Sequence, residues 1–231
     1  MTTLGPYLLG PNDTPENGIY TGDARELAKA IPDESIDLIF TDPVYQNTDD
    51  YRWLAETGAR VLNLTGALLA WSATPCLPEI LIAMIPPMQW AWMLYWQKYG
   101  PCYPGKPGIC IIAQCLWLDK GQSKTRRKIA DWQGAAFDLS NRHSKHKWSK
   151  PETVLAKWAD AFTLPDAIIF DPFTGGGTVP AVCKMLGRQY LAFEIDADTA
   201  ELARERVRNT QPPLPGLVIE QAELDLTDKE C

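Results

Sequence analysis

The sequence predicts an α/β domain built on a mostly parallel sheet. Two observations carry that prediction. Short apolar segments (GIYTGDA, SIDLIFTD, GALLAWSA, DAIIFDPF, RQYLAFEID) alternate with segments of helical period towards both ends of the chain, the pattern of strand-helix-strand units. The longer of these segments show no polar alternation, so both faces of the strands are expected to be buried. The second observation is that four acids, Asp23, Asp42, Asp171 and Glu194, each sit where such a segment ends. Open α/β sheets bind ligands at the carboxyl ends of their strands. Four acids at four strand ends therefore point to a site rather than to turn chemistry alone.

The elements follow in order. Residues 1–17 are rich in Gly, Pro and Asn and read as an irregular N-terminal arm. GIYT is a short strand, and ARELAKAI a short helix closed by Pro32. SIDLIFTD is a strand, YRWLAETGARVL a helix, GALLAWSA a strand and LPEILIAMI a helix ended by two prolines. MQWAWMLYWQK and GICIIAQCLWLDK read as two more strands. This span, 18–119, forms one half of the domain, and a basic insert occupies 120–148. A helix to about Phe162 follows, with Ser149 and Glu152 in a capping-box pattern around Lys150-Pro151 and with Val154, Leu155, Trp158 and Phe162 on one face. DAIIFDPF is a buried strand, and the glycines at 175–177 open a helix that ends at Gly187. RQYLAFEID is the last strand, and Asp198 is expected to start the final amphipathic helix through Leu202 and Val207. The second half of the domain is thus 149–210, and 211–231 is a Pro-rich, acidic tail.

Composition sets outer bounds. A length of 231 residues suits one domain with an insertion, and a hydrophobic fraction of 45% supports an ordinary core. MTTLGPYLLG has neither the basic start nor the apolar core of a secretion signal. ILIAMI and WAWMLYW are too short to span a bilayer. The expectation is a soluble, cytoplasmic protein with no membrane partner. The six cysteines form no CxxC pair, and His143 and His146 have no cluster of acids or cysteines beside them, so no metal is expected. Net charge is −7, yet Lys120 to Lys150 holds nine basic residues against Asp131 and Asp138. A basic segment with interleaved Trp132, Phe137 and Trp148 in an otherwise acidic chain suggests a polyanion contact.

Two motifs carry chemistry. In DPFTGGGTVP, residues 171–180, a buried strand turns through three glycines into a helix. Glycines allow close backbone approach and positive φ, and the helix start offers N–H donors to an anionic group. No Gly-Lys-Ser/Thr follows, so this is not a P-loop, and the dinucleotide pattern G-x-G-x-x-G is absent. Glu194 ends the next strand, about twenty residues on, where an acid commonly accepts from ribose hydroxyls. The ligand read from these residues has a ribose and an anionic end. The other motif is IFTDPVYQ, residues 39–46, which places Asp42, Pro43 and Tyr45 at a strand end. Taken alone, it reads as a strand followed by a turn.

Together these residues resemble the amino-methyltransferases of DNA in their permuted β arrangement. That family places a D-P-P-Y type motif ahead of F-x-G-x-G; here TDPVY at 41–45 precedes FTGGG at 173–177. The family's H-x-x-x-K-P is matched by His146 to Lys150-Pro151, and its early G-D by Gly22-Asp23. The resemblance covers roughly residues 18 to 208. It implies a Rossmann-like, seven-stranded, circularly permuted sheet, started at its third strand, and S-adenosylmethionine as cofactor. It places Asp171, Phe173, Gly175 and Gly177 along the cofactor's methionine end, with Lys150 and Thr178 nearby, Glu194 at the ribose and Asp23 by the adenine. It makes DNA the partner and the basic insert the target-recognition region, with Arg126, Arg127, Lys128 and Arg142 gripping phosphates. So short an insert reads few bases unless a homodimer completes it.

By the same resemblance, Asp42 and the Pro43 carbonyl would accept the two N–H groups of an exocyclic amine while Tyr45 stacks on a flipped base. An acid at position 42 favours adenine N6; cytosine-N4 enzymes of the family more often have serine there. Val44 replaces the second proline and cannot lock φ, so a less preorganised loop is expected. The alternatives are cytosine-N4 methylation and a non-catalytic nucleic-acid-binding subunit on the same fold. RNA or protein-glutamine methyltransferases use Asn-Pro-Pro-Tyr with the glycine motif first, an order this chain does not have.

Overall fold

A computed structural model describes residues 18–97, 103–105, 108–134 and 150–212. The N-terminal arm, nearly all of the acidic tail, Phe137, Arg142, His143, His146, Trp148 and Ser149 lie outside the described residues. In chain order the main elements are β1 (Gly18–Thr21), α1 (Ala24–Leu27, continued by a 3-10 turn over Ala28–Ala30), β2 (Ile36–Thr41), α2 (Thr48–Val61), β3 (Leu62–Ser72), α3 (Leu77–Met84), β4 (Gln89–Gln97), β5 (Tyr103–Gly105), β6 (Gly108–Cys110), β7 (Ile112–Asp119), β8 (Trp132–Gly134), α4 (Glu152–Phe162), β9 (Ile168–Asp171), α5 (Thr178–Leu186), β10 (Gln189–Glu194) and α6 (Ala197–Asn209).

The sheet order is β1-β10-β9-β2-β3-β7-β4-β8. The first five strands in that order are parallel, β7 is antiparallel to both β3 and β4, and β8 runs parallel to β4. The expected seven-stranded sheet is therefore present, with β8 added at one edge. The chain starts at the opposite edge, crosses to β7 and β4, and returns to fill the gap with β9 and β10. That return is the circular permutation implied by the motif order.

The strands lack polar alternation because helices cover both faces. Ile39, Leu68, Phe170 and Phe193 pack with Tyr51, Leu54 and Ile80 of α2 and α3. Their neighbours Leu38, Phe40, Leu69 and Ile169 pack on the other side with Leu155 and Trp158 of α4 and Val182 of α5. A smaller cluster seats α6 through Ala200, Ala203 and Val207 against Ile19 and Ala192.

Three local expectations differ from the structure. The run GICIIAQCLWLDK is split at Ile111: Gly108–Cys110 pairs with Tyr103–Gly105 in a separate two-stranded sheet, while β7 joins the main one. Among the described residues β4 pairs with β7 as far as Gln97, opposite Ile112. Helix α4 has its N-cap at Pro151, without a side-chain cap, rather than at Ser149, which lies outside the described residues, and the Glu152 carboxylate accepts from Arg206. Helix α6 is capped by Asp196, not Asp198, because the Asp196 carboxylate reaches the Thr199 N–H at 2.8 Å. Among the described residues no helix is long and apolar enough to cross a membrane.

Candidate active site

β9 passes its chain outward to β10 and β2 passes its chain the other way to β3, so a crevice opens between the carboxyl ends of β9 and β2. Thr41, at the end of β2, donates to Asp171, at the end of β9, across 2.7 Å in a buried bond that ties the two strand ends together. Above it lies an open cleft of about 140 Å³, lined by Asp42, Trp71, Lys150, Asp171, Phe173, Thr174, Gly175, Gly176, Thr178 and Val179.

On the β2 side, Asp42 points one carboxylate oxygen at Lys150, whose ammonium donates to it and, at 2.9 Å, to the Tyr45 hydroxyl. The same ammonium lies 5.2 Å from the centre of the Trp71 ring and 5.5 Å from that of Tyr45, within cation–π range. The other Asp42 oxygen, Oδ1, is buried and has no hydrogen-bond partner among the described residues. Burial, and next the Asp42 carboxylate, push the phenols of Tyr45 and Tyr51 far above their ordinary value, so both stay neutral. Tyr51 donates to the Trp71 carbonyl at 2.7 Å and fixes the end of β3 beside the lysine. Val44 is 65% exposed at the rim.

On the β9 side, the loop 173–177 is shaped by two left-handed glycines, Gly175 with φ 48° and Gly177 with φ 74°. A Cβ on Gly175 would meet nothing within 4 Å, whereas one on Gly177 would stand 2.8 Å from Ala203 Cβ of α6. Gly175 is therefore open towards the cleft, and Gly177 is a close approach of loop to helix. Glu194 accepts the Gly175 N–H at 2.9 Å and the Asp196 N–H at 3.0 Å, one on each oxygen. Each oxygen keeps a lone pair for another donor. The Gly22 N–H bonds to the Glu194 carbonyl at 2.9 Å and sets Asp23 beside that strand end, where its side chain caps α1 through the Arg25 N–H. Phe173 stacks edge-on against Trp53 of α2, with ring centres 5.7 Å apart. Burial pushes Asp171 up to about 7, opposed by the bonds it accepts from Thr41 and the Phe173 N–H.

The structure thus brings Asp42, Pro43, Tyr45, Lys150, Asp171, Phe173, Gly175, Gly177, Thr178, Glu194 and Asp23 to one edge of the sheet. It does not bring Arg126 and Arg127 there. The Arg126 N–H bonds to the Ala161 carbonyl, and Arg127 pairs with Asp160 at 3.3 Å. Both partners lie in the last turn of α4, towards the edge where the parallel strands begin. Lys128 follows them and is exposed. Residues 120–134 cross the foot of the sheet and climb back as β8. Thr41, Trp71 and Arg206 were missed by the sequence reading. The strand-end rule that selects Asp42 could also have selected Trp71, at the end of β3. Nothing in the sequence signals Arg206.

The parallel sheet with this switch point, a carboxylate-proline motif on one strand and a glycine turn with two acids on its neighbours, defines the S-adenosylmethionine-dependent methyltransferase class. The group fits these residues: an open glycine cradle, a buried carboxylate for an ammonium and a half-satisfied carboxylate for ribose hydroxyls. The comparisons narrow the class. The DNA methylase family model matches residues 88–205, and the chain belongs to this family of amino-methyltransferases, which methylate adenine N6 or cytosine N4 in DNA. The chain is 27% identical to the type II methyltransferase M.HinfI of Haemophilus influenzae over 254 aligned positions, 85% of this chain and 69% of that protein. It is 24% identical to the DNA adenine methyltransferase YhdJ of Escherichia coli (strain K12), covering 82% of each. In structure it is similar to the cytosine-N4-specific PvuII DNA methyltransferase, with a TM-score of 0.71, 19% identity and 82% of this chain against 86% of that one. It is equally similar to M1.HpyAVI in complex with S-adenosylmethionine, with a TM-score of 0.71, 22% identity and 82% against 98%.

Proposed function

We propose that this chain methylates the exocyclic N6 of adenine in DNA by direct in-line displacement on a flipped base. The observation that carries this reading is the state of Asp42. One of its oxygens is held by Lys150, and the other is an unpaired acceptor beside the glycine cradle. An exocyclic amine is a poor nucleophile because its lone pair is delocalised into the ring. Accepting its N–H groups at Asp42 Oδ1 and at the Pro43 carbonyl would pull the nitrogen towards sp³ geometry and aim the lone pair outward. S-adenosylmethionine supplies the electrophilic methyl group when bound. Asp171, Phe173, Gly175, Gly177 and Thr178 would hold its methionine end, Glu194 its ribose, and Asp23 would sit by its adenine. Tyr45, already fixed beside Asp42 by Lys150, would flank the target base. The rate would come from positioning and fixed charge, with no covalent intermediate. Extracting the base costs a few kcal/mol, offset by its new contacts. Any phosphate contact by Arg126 or Arg127 would fall far from that base, and a second protomer could complete so small a recognition surface.

The carboxylate at position 42 and the adenine-methylating relative both favour adenine over cytosine. The test is transfer of tritiated methyl groups to mixed-sequence duplex DNA, followed by nucleoside analysis. Label in N6-methyladenine is expected. Label in N4-methylcytosine would overturn the base assignment alone, and cofactor binding without transfer would favour the non-catalytic reading. The same reading has a pH signature. The cofactor's ammonium needs an ionised Asp171, and that group is protonated below about pH 7. S-adenosylmethionine affinity is therefore expected to weaken as pH falls through about 7, measured by calorimetry between pH 5.5 and 8.5, a range of about 1.5 units on either side of that value. Asp171→Asn should bind more weakly and lose this dependence.

A further inference from the structure

Arg206 lies far from the catalytic motif in sequence, yet its guanidinium bonds to the glycine turn. It donates at 3.0 Å to the Gly176 carbonyl and at 2.8 Å to the Thr178 hydroxyl, and its other amino group meets the Glu152 carboxylate at 2.6 Å. Its side chain is 22% exposed and that of Glu152 25%. One turn earlier on the same face of α6, Ala203 is the residue against which Gly177 is packed. Helix α6 therefore grips the loop at two adjoining points, one steric and one polar. Gly176 and Thr178 both line the cleft. Without the guanidinium, the Gly176 carbonyl and the Thr178 hydroxyl would lose the donor that reaches them from α6. Glu152 lies two residues from Lys150, so the same guanidinium also links the loop to the segment that holds Asp42.

We infer that Arg206 is a positioning residue for the carboxylate end of the cofactor. It donates to the Gly176 carbonyl and the Thr178 hydroxyl and so fixes the turn that leads into α5, and it joins that turn to the Lys150 segment. The inference rests on the proposed cofactor reading and adds to it a residue that touches neither cofactor nor substrate.

The experiment is calorimetric titration of wild type, Arg206→Ala and Glu152→Gln with two ligands. One is S-adenosylhomocysteine, which carries the amino-acid end. The other is 5′-methylthioadenosine, which lacks it. Arg206→Ala is expected to raise Kd for S-adenosylhomocysteine about tenfold, as for an acceptor left unpaired beside a charge, and to leave Kd for 5′-methylthioadenosine within twofold. Glu152→Gln should give a smaller change in the same direction and keeps the test open if Arg206→Ala does not fold. Equal weakening for both ligands would mean that Arg206 merely holds the loop together and would overturn the inference, as would unchanged affinity for both. A wild type that binds neither ligand would overturn the cofactor reading itself.

Discussion

Asp42→Ala is expected to lower methyl transfer by about 10²–10³ or more, the usual cost of removing one preorganised polar contact to a reacting group, while leaving affinity for S-adenosylmethionine within a few fold. Lys150 explains why the isosteric Asp42→Asn should be nearly as damaging. The lysine donates to whatever occupies the Oδ2 position and holds an acceptor there. An amide would turn its oxygen to the lysine and present its NH₂ at the Oδ1 position. The target amine would then meet a donor where it needs an acceptor. Single-turnover kinetics at saturating cofactor separate this from binding. An Asp42→Asn variant with more than a tenth of wild-type rate would sink the proposed role of Oδ1.

The second large effect contrasts two glycines of one turn. Gly177→Ala is expected to cost about 2–4 kcal/mol of stability, combining a left-handed backbone with overpacking. The added methyl would stand 2.8 Å from Ala203 Cβ and 2.9 Å from its Cα, and helix backbone cannot yield as a side-chain tip can. Thermal denaturation should show a fall in Tm on the order of 10 °C. Gly175→Ala should lose about 1–2 kcal/mol to its left-handed φ, because its methyl meets nothing within 4 Å. That open space belongs to the cleft, so Gly175→Ala should lose cofactor affinity out of proportion to stability. Equal Tm losses with equal affinities would mean that the turn is a structural connection only.

The strand-helix alternation, the positions of the four acids and the glycine turn were all legible in the sequence, because each depends on local periodicity or on one residue type at a strand end. Asp42, Asp171, Glu194 and Asp23 do stand at the ends of neighbouring strands, since a parallel sheet aligns its carboxyl ends whatever its connectivity. The permutation was legible in the order of the motifs. Other features needed the tertiary structure. The Lys150 ammonium meets Asp42 over 108 positions of chain, and Arg206 meets Gly176 over 30. Such pairings arise from how α4 and α6 pack, and no local pattern encodes them. Arg126 and Arg127 show the converse: charge in sequence said that the segment was basic, but only the path of the chain under the sheet decided which edge those charges face. What the sequence determined by itself was the class of fold and the residue types of the site. What only the packed structure decided was which oxygen of Asp42 is left to accept, and which helix holds the glycine turn, because both depend on contacts made across the fold.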